Sequence, residues 1–536
     1  MRGTHATSQD AVLSLLMRPD TYPVAQPVTH VETHGAHVFL CGDVALKIKR
    51  AVRLDYMDLS TPALRHRFLE RELALNRSAA PDIYRDIVPI TGKPDGGLEL
   101  AGSGPVVDWV LRMHRFPKDC EMIEVARDGR LTDPVAESLG QSIHAFHARC
   151  PKRTEPADVL MGEILDELER VFAGFRDRLP GDRALCVLED ARSQLAEVSE
   201  ALRARTRQGW VRRVHGDLHL GNLLLIDGRP RPFDALEFDE RLATSDVLYD
   251  LAFLLMDLCH RGLGRQANLT MNAYLLAAQG RQDAGLAALP LFMATRAMIR
   301  AMVLLQTAEL ATDPACGTEA MPSEAGRYLE EAARFLRRQD GGLVLVGGLS
   351  GSGKTVLARR LAPVIGPCPG AVHLRTDTER RSRSSAARYD AAARAAVYGR
   401  MLDRAAVILT AGRDVVLDAT FLDRRQREAA KAVADGLGLR FRGLWLQAPE
   451  AVLVGRVMAR TGDASEADAA VVAKQVATFE APPGPDDGWV VLDAAGPPEA
   501  VFDAAVAALA QERGPDGVGA GQAPPQVTGL TSAAKT

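Results

Sequence analysis

The fold of the C-terminal part of this chain is decided by one stretch, Gly348-Leu349-Ser350-Gly351-Ser352-Gly353-Lys354-Thr355. It matches the phosphate-binding loop pattern G-x-x-x-x-G-K-[ST] at every fixed position. The apolar run 343–346 before it predicts a buried strand and residues 356–361 predict a helix, which is the context that this loop requires. A Gly/Ser-rich linker could match by chance, but it would lack these flanking elements. Because the glycines let backbone N–H groups point at phosphate oxygens, we expect an ATP site in which Lys354 reaches the β- and γ-phosphates and Thr355 holds Mg²⁺.

Two later segments are predicted to be strands that end in a carboxylate. One runs from Ala371 to Asp377, and the other runs from Asp414 to Asp418. Ligands of open α/β sheets bind beyond the carboxyl ends of the strands, so both carboxylates are expected near the phosphate-binding loop. Asp377 resembles the base that deprotonates the substrate hydroxyl in small P-loop kinases, and Asp418 resembles the carboxylate that lies near Mg²⁺ through Thr355. Either aspartate could instead cap the helix that follows it.

Two arginines that follow the strand-like run 444–446 are candidates for a lid over this ATP site. Arg456 and Arg460 are four residues apart and therefore share one helix face. In small P-loop kinases, arginines on a lid clamp the transferring phosphoryl group, and this pair resembles them. The alternative is a solvated helix face, where such arginines usually lie. A turn into a second, capped helix is expected over residues 462–468.

A second phosphoryl-transfer signature lies upstream, in Val214-His215-Gly216-Asp217-Leu218-His219-Leu220-Gly221-Asn222. The spacing of Asp217 and Asn222 is that of the kinase catalytic loop, in which the Asp accepts the proton of the attacking hydroxyl and the Asn ligates Mg²⁺. The apolar run 223–226 and the turn at 227–228 predict a hairpin that returns Asp234 to Asn222, so that two oxygen donors meet at one hard cation. The alternative is a polar loop with ordinary turn chemistry.

The run from His215 to Asn222 followed by Asp234 resembles the aminoglycoside phosphotransferase family, distant relatives of protein kinases. The resemblance implies a two-lobed, kinase-like α+β fold that moves the γ-phosphoryl of ATP onto a small hydroxylated molecule, over residues 25–335. In that family an aspartate in the region of Asp246 and Asp250 braces the catalytic loop; by sequence alone both are acidic residues at a helix start, and we assign them no catalytic role. The order of the parts is similar to bacterial fusions of such a domain to a P-loop kinase or ATP-binding domain of the zeta-toxin or gluconate-kinase type.

A predicted hairpin near the N-terminus supplies a candidate phosphate-binding lysine. The runs 38–40 and 44–49 flank a turn at Gly42, which is typical of two antiparallel strands. The sequence Val44-Ala45-Leu46-Lys47 is close to the kinase V-A-I-K strand, so Lys47 is the candidate for the α- and β-phosphates. Lys49 lies on the same face and is expected to be solvated. No G-x-G-x-x-G loop precedes the strand, so coverage of the phosphates by such a loop is not expected.

The next predicted helix supplies a partner for that lysine. It begins at Pro62 after the N-cap Thr61, and its apolar residues place Glu72 near the middle of the buried face. A buried carboxylate is costly unless it is paired, so Glu72 is expected to form the kinase-type ion pair with Lys47. The alternative is a position at the rim beside Arg71.

Composition sets outer limits on the function. The chain has 536 residues, a net charge of −4 and 25% charged residues, which gives no electrostatic reason to expect nucleic acid or an acidic membrane as a partner. Its 7 scattered cysteines form no C-x-x-C pair, which argues against a disulfide scaffold or a zinc site and favours a reducing cytoplasm. Residues 1–23 lack the apolar core of a signal peptide, and no run approaches the length of a membrane span.

The sequence therefore predicts two ATP-binding domains. A kinase-like domain over 1–338, with a small lobe over 25–115 and a helical large lobe over 116–338, precedes a P-loop domain with a mainly parallel sheet over 339–512 and a disordered tail over 513–536. The expected function is a bifunctional, ATP- and Mg²⁺-dependent phosphotransferase that acts on a small-molecule hydroxyl. The alternative is that only one domain is catalytic and the other is an ATP-binding sensor or a simple ATPase. The acceptor and the oligomeric state stay open.

Overall fold

A computed structural model of the chain describes residues 9–33, 35–54, 57–175, 182–310, 321–338, 340–381, 391–459, 468–479 and 481–510. Its internal contacts divide these residues into two compact units. The first unit draws on Met1–Met161 and Arg203–Asp257, and the second draws on Gly162–Leu202 and Leu258–Ala533. The predicted tail over 513–536 and the lid residue Arg460 lie outside the described residues.

The first unit contains a six-stranded antiparallel sheet with the strand order β1-β2-β3-β8-β6-β7. Two-stranded pairs β4/β5, β10/β11 and β9/β12 accompany it. The strands are β1 Thr29–Glu32, β2 Ala36–Cys41, β3 Val44–Lys49, β4 Arg53–Leu54, β5 Met57–Asp58, β6 Tyr84–Gly92, β7 Leu98–Leu100, β8 Val106–His114, β9 Val211–Arg213, β10 Leu223–Ile226, β11 Arg229–Pro232 and β12 Thr244–Asp246. The helices that lie wholly within this unit are α1 Asp10–Leu16, α2 Pro62–Arg77, α3 Met122–Arg127 and α4 Asp133–Arg149.

The hairpin predicted around Gly42 is present as β2 and β3. Gly42 adopts a φ of 55°, which glycine tolerates without strain. Leu46 and Ile48 are fully buried in a core cluster, while the two lysines of β3 point to the opposite face. Helix α2 starts as predicted, because the hydroxyl of Thr61 accepts a hydrogen bond from the backbone N–H of Leu64 at 3.3 Å.

The second unit contains a five-stranded sheet whose neighbouring strands are all parallel, in the order β14-β15-β13-β16-β17. Its strands are β13 Gly342–Gly348, β14 Val372–Arg375, β15 Val415–Asp418, β16 Arg440–Gln447 and β17 Trp489–Asp493. The remaining helices, of which α5, α6 and α7 are shared between the units, are α5 Ala157–Gly174, α6 Arg183–Arg207, α7 Val247–His260, α8 Gly264–Ala278, α9 Leu289–Leu310, α10 Met321–Leu336, α11 Lys354–Leu361, α12 Thr376–Arg381, α13 Ala391–Thr410, α14 Arg424–Gly436, α15 Glu450–Met458, α16 Ala469–Thr478 and α17 Pro498–Ala510. This is the α/β P-loop fold that the sequence predicted.

The structure confirms most of the strand and helix ends predicted in this unit, and the end of one strand differs. The phosphate-binding loop lies between β13 and α11, and Asp418 ends β15, as expected. The strand predicted to run to Asp377 ends at Arg375, and Asp377 is instead the second residue of α12. A capped helix follows the turn predicted over residues 462–468, as α16 with Asp468 as its N-cap, while residues 462–467 of that turn lie outside the described residues.

Among the described residues, one helical segment is long and apolar enough to cross a membrane by length and composition. Asp283–Glu309 has 27 residues and contains an 18-residue window with a mean hydropathy of 1.6. Of that window, 67% is buried inside the structure, as is usual for the core helix of a soluble protein, and a single such helix is weak evidence for a membrane span.

The second unit contains a disulfide that the sequence did not predict. Cys259 and Cys368, 109 residues apart, form a disulfide within the second unit. Cys41, Cys120, Cys150 and Cys186 are free. The odd number and wide spacing of the cysteines gave no sign of this bond, because it depends on where the chain places two distant residues.

Candidate active sites

Lys47 lies at the centre of the candidate site in the first unit. Its Nζ is 2.7 Å from Oε1 of Glu72 and 2.8 Å from Oδ1 of Asp234. Glu72 is fully buried on α2, so the rim position is excluded and the predicted ion pair is present. Burial by itself would lower the pKa of Lys47, but Asp234 and Glu72 raise it well above its ordinary value, and the ammonium group stays charged.

Lys49 also belongs to this cluster, which corrects the expectation that it would be solvated. Its side chain is 4% exposed, and its Nζ is 2.6 Å from Oε2 of Glu72 and 2.5 Å from Oε1 of Glu237. Glu72 is therefore bound by two lysines, one at each carboxylate oxygen. Sequence reasoning missed Glu237 because no motif connects it with a lysine 188 residues away.

The catalytic loop and the hairpin after it bring the other predicted residues together. Strands β10 and β11 pair so that Leu223 is opposite Pro232, and Phe233 N donates to Asn222 O at 3.1 Å. The amide Nδ2 of Asn222 donates to Oδ2 of Asp217 at 2.8 Å, which fixes the amide beside the carboxylate.

Asp234 is kept ionised by its surroundings. Burial would raise the pKa of its carboxyl group, but the charge of Lys47, a hydrogen bond from that lysine and the charge of Lys49 lower the pKa below its ordinary value. The residue adopts a φ of 58°, and its backbone N–H donates to the hydroxyl of Tyr84 at 3.1 Å. A charged carboxylate is therefore held in one place next to Lys47.

Two aspartates of α7 accept hydrogen bonds from the main chain of the catalytic loop. Asp250 is fully buried and accepts hydrogen bonds from the backbone N–H groups of His215 at 3.2 Å and Gly216 at 2.9 Å. Asp257 accepts one from the N–H of Leu220 at 3.0 Å. The family resemblance had pointed to the region of Asp250, but no feature of the sequence marked Asp257 as a support of the loop.

Asp246 binds an arginine side chain, whereas Asp250 binds the main chain of the catalytic loop. Both of its carboxylate oxygens accept hydrogen bonds from the guanidinium of Arg205, at 2.6 and 2.7 Å, and both side chains are buried. A paired arrangement of this kind fixes the end of α6 against β12.

In the second unit, the loop after β13 has the backbone that phosphate binding requires. Gly348 has a φ of 140°, and a Cβ built there would lie 2.6 Å from the carbonyl oxygen of Leu446. Gly351 and Gly353 also have positive φ values, of 85° and 92°. Among the described residues, the buried Oγ of Ser352 has no hydrogen-bond partner. A buried hydroxyl without a partner is costly, so this cradle fits an anion that would bind it.

Thr355 and Asp418 meet at the edge of this loop. The hydroxyl of Thr355 donates to Oδ2 of Asp418 at 2.6 Å. Arg375 Nε lies 3.3 Å from the same oxygen and its Nη2 donates to Thr355 Oγ1 at 3.3 Å, while His373 Nε2 lies 3.5 Å from Asp418. Burial would raise the pKa of Asp418, but His373, Arg375 and the Thr355 hydroxyl together lower it below its ordinary value.

The donor sets fit Mg²⁺ bound together with a nucleotide. The structure has no group of three or more His, Cys, Asp or Glu side chains that could hold a metal within the described ranges. Each site instead offers two oxygen donors, from Asn222 and Asp234 in one and from Thr355 and Asp418 in the other. Mg²⁺ is usually bound by one or two protein oxygens, with phosphate oxygens and water completing the octahedron. Bound in this way, the ion would neutralise the charge of the triphosphate.

The remaining predicted residues of the second site that the structure describes lie on three helices, α11, α12 and α15. Lys354 begins α11, and its Nζ donates to the carbonyl of Leu349 at 2.8 Å. Asp377 lies in the first turn of α12. Arg456 lies on α15, where its guanidinium donates to main-chain carbonyls, at 2.7 Å for Ala494. Its role at the nucleotide therefore stays a prediction.

Comparison with known proteins assigns each unit's motif to a family. Residues 120–289 match the model of the phosphotransferase enzyme family, and residues 343–482 match the model of the AAA domain. Proteins of Mycobacterium tuberculosis and Mycobacterium bovis, named as uncharacterized, are 29% identical over 475 residues, which cover 85% of this chain and 91% of theirs.

Solved structures also resemble parts of the chain. A choline/ethanolamine kinase family protein from Mesorhizobium loti is 18% identical, covers 61% of this chain and 97% of its own, and has a TM-score of 0.37. A gluconokinase from Sinorhizobium meliloti is 24% identical, covers 33% of this chain and 94% of its own, and has a TM-score of 0.26. Each predicted motif therefore lies within a range that matches a family model, the kinase-type catalytic loop in residues 120–289 and the phosphate-binding loop in residues 343–482, in the order that the sequence predicted.

Proposed function

We propose that the chain is a two-headed, Mg²⁺- and ATP-dependent phosphotransferase. The first head, in the first unit, would move the γ-phosphoryl group of ATP onto a hydroxyl of a small molecule, and the P-loop head, in the second unit, would phosphorylate a different acceptor. The observation that carries the proposal is the cluster in the first unit, where Lys47 touches both Glu72 and Asp234 while Asn222 is bonded to Asp217. These are the side chains that phosphoryl transfer needs in one place.

In the first head, Asp217 would accept the proton of the attacking hydroxyl. Its position is supported by the Asn222 amide and by the main-chain bonds of the catalytic loop to Asp250. Lys47 would exchange its contact with Asp234 for the phosphates, which leaves that carboxylate available for Mg²⁺. Little covalent chemistry is required of the protein, so positioning and charge neutralisation would supply most of the rate enhancement.

In the P-loop head, the backbone of the glycine-rich loop and Lys354 would bind the phosphates. Thr355 and Asp418 would hold Mg²⁺, and Asp377 would act as the base toward the second acceptor. We further infer a cytoplasmic location, because ATP is available there. The Cys259–Cys368 bond is an observation against that location, since stable disulfides are uncommon in the cytosol.

Calorimetric titration of the full chain with Mg·ATP tests whether there are two sites. We expect two bound nucleotides per chain, one after Lys47→Met or Lys354→Met, and none after both changes. Lys431→Met, which removes an exposed lysine of the second unit, serves as the matched control. Fewer than two nucleotides bound to the unchanged chain would refute the proposal.

ATP consumption with a panel of hydroxylated metabolites, followed by mass spectrometry for an added phosphate, tests catalysis. Removing a general base typically costs about 10²- to 10⁴-fold in rate, so Asp217→Asn should lower phosphorylation of the first head's acceptor by that factor and leave nucleotide binding and the activity of the P-loop head intact. Asp119→Asn, at an exposed position, is the control. If Asp217→Asn leaves turnover unchanged with every acceptor while two nucleotides still bind, the first head is a nucleotide sensor.

A further inference from the structure

Helix α12 carries Asp377 but cannot hold it in place alone. It has 6 residues, which is too short for a stable isolated helix. The hydroxyl of Thr378 donates to the carbonyl of Arg375 at 2.9 Å, but this bond lies within the first turn and links α12 to nothing else. The position of Asp377 therefore depends on what binds α12 from outside.

Arg404 of α13 joins α12 to another segment of the same unit. Its Nη1 donates to the carboxylate of Glu379 on α12. Its Nε and Nη2 donate to the two carboxylate oxygens of Asp283, at 2.7 and 3.2 Å. The side chains of Asp283, Glu379 and Arg404 are 2%, 11% and 14% exposed, so solvent screens these ion pairs only weakly. A planar guanidinium that binds two carboxylates fixes their relative position.

Helix α8 holds the strand that leads into α12. Strand β14 lies at the edge of the sheet, and side chains bind its outer main-chain groups where another strand would otherwise do so. Asn272 Oδ1 accepts from the N–H of His373 at 2.8 Å. The buried Asn268 donates to the carbonyls of Pro369 and Ala371, at 2.7 and 3.0 Å. Residues 264–288 thus contact both elements: α8 binds β14, and Asp283, which follows α8 in the chain, binds α12 through Arg404.

We propose that Arg404 is a positioning residue of the P-loop head, which holds α12 so that the carboxylate of Asp377 faces the acceptor hydroxyl. The inference rests on the proposed function of that head. Residues 264–288 fall within the range matched by the phosphotransferase model. Under this proposal, the same residues also support the acceptor side of the P-loop head.

Hydrogen exchange of the full-length chain tests the position of α12 without any need for activity. Arg404→Met should speed the exchange of amides in residues 376–381 by about tenfold or more, because the helix loses its ion pair with α13 and keeps the weaker bonds of Thr376 to Asp418 O, at 3.5 Å, and of Arg400 to Glu379 O, at 3.3 Å. Glu379→Gln should act in the same way, and Arg404→Lys should fall between, since an ammonium group cannot reproduce the bidentate contact. Arg424→Met, which breaks an exposed Arg–Glu pair on α14, is the matched control. Unchanged exchange in both variants, or equal acceleration throughout the unit, would overturn the proposal.

Kinetics in an Asp217→Asn background, where the first head is silent, test the link to Asp377. With Mg·ATP and the acceptor panel, Arg404→Met should lower kcat about tenfold and leave the KM for ATP within about twofold. When Asp377 is already Asn, the same change should have no further effect, because both act through one carboxylate. A loss confined to KM, or one that persists undiminished in the Asp377→Asn chain, contradicts the role. If Asp377→Asn itself changes nothing, the proposed function of this head fails, and the exchange experiment still decides the position of α12.

Discussion

Replacing Lys49 by methionine should destabilise the first unit more than it weakens nucleotide binding. Lys49 and Lys47 face three carboxylates, those of Glu72, Glu237 and Asp234, so the cluster carries one excess negative charge. Burial would lower the pKa of Lys49, but Glu72 and Glu237 raise it, so the ammonium group is charged in the folded state. Its removal leaves two excess negative charges and deprives Glu237 of its lysine.

The expected cost follows from the burial of the partners. Removing one member of a buried ion pair typically costs about 3–5 kcal/mol. Glu72 keeps its bond to Lys47, and the side chain of Glu237 is 12% exposed, so the lower end applies. A loss of about 3 kcal/mol with an m-value of about 2 kcal/mol/M moves the urea midpoint by about 1.5 M. Because Glu72 still positions Lys47, affinity for Mg·ATP should fall far less than after Lys47→Met.

Pulse-labelling hydrogen exchange across a urea series measures this change directly in peptides from β3 and α2. Lys93→Met, an exposed lysine beyond the end of β6, is the control and should shift stability by no more than about 0.5 kcal/mol. Replacing both partners, as Lys49→Met with Glu237→Gln, should recover part of the loss because no unpaired charge stays buried. A loss below about 1 kcal/mol for Lys49→Met, or no recovery in the double variant, would refute the charge argument.

Two further predictions concern the second unit. Cys259→Ser opens a loop of 109 residues, for which the chain-entropy relation gives about 4.8 kcal/mol at 25 °C. Urea denaturation without reductant should show this loss, Cys186→Ser should not, and an equal effect of both would contradict it. His260 is bonded to Glu331 and Glu324 at 2.8 and 2.7 Å; burial would lower its pKa, but the two carboxylates raise it above the ordinary value. The protonated His260 should contribute its full stability below the unfolded pKa of about 6.5, and this contribution should be lost as the pH rises through the higher folded pKa. The melting temperature of the His260→Gln variant should therefore change less with pH in that window than that of the unchanged chain.

The parts of the molecule that sequence reasoning predicted share one property, which is that short-range spacing encodes them. The phosphate-binding loop, the β10/β11 hairpin that returns Asp234 to Asn222, and the N-cap at Thr61 are each specified within a few residues. The pair of Lys47 and Glu72 spans a greater distance, but strand and helix periodicity limited which faces could meet.

What the sequence did not reveal depends on distant segments. Glu237 meets Lys49 only because the chain after the catalytic loop returns to β3. The disulfide depends on the packing of the end of α7 against the loop before β14. The strand was predicted to run to Asp377, whereas it ends at Arg375 and helix α12 begins at Thr376. No local sequence pattern indicates the Lys49–Glu237 pair, the Cys259–Cys368 bond or the end of β14 at Arg375.

Electrostatics explains why such unmarked residues gather at both candidate sites. A carboxylate that is to hold a divalent cation must already be ionised, yet burial favours its protonated form. Neighbouring side chains offset this cost at each site: Lys47 lowers the pKa of Asp234, while His373, followed by Arg375 and the Thr355 hydroxyl, lowers that of Asp418, so both carboxyl pKa values lie below their ordinary range. Nucleotide-binding motifs specify the groups that touch phosphate, but the compensating charge can come from any segment that reaches the carboxylate. Lys47 belongs to a motif and was predicted, whereas Arg375 belongs to none and could be recognised only once β14 and β15 were seen side by side.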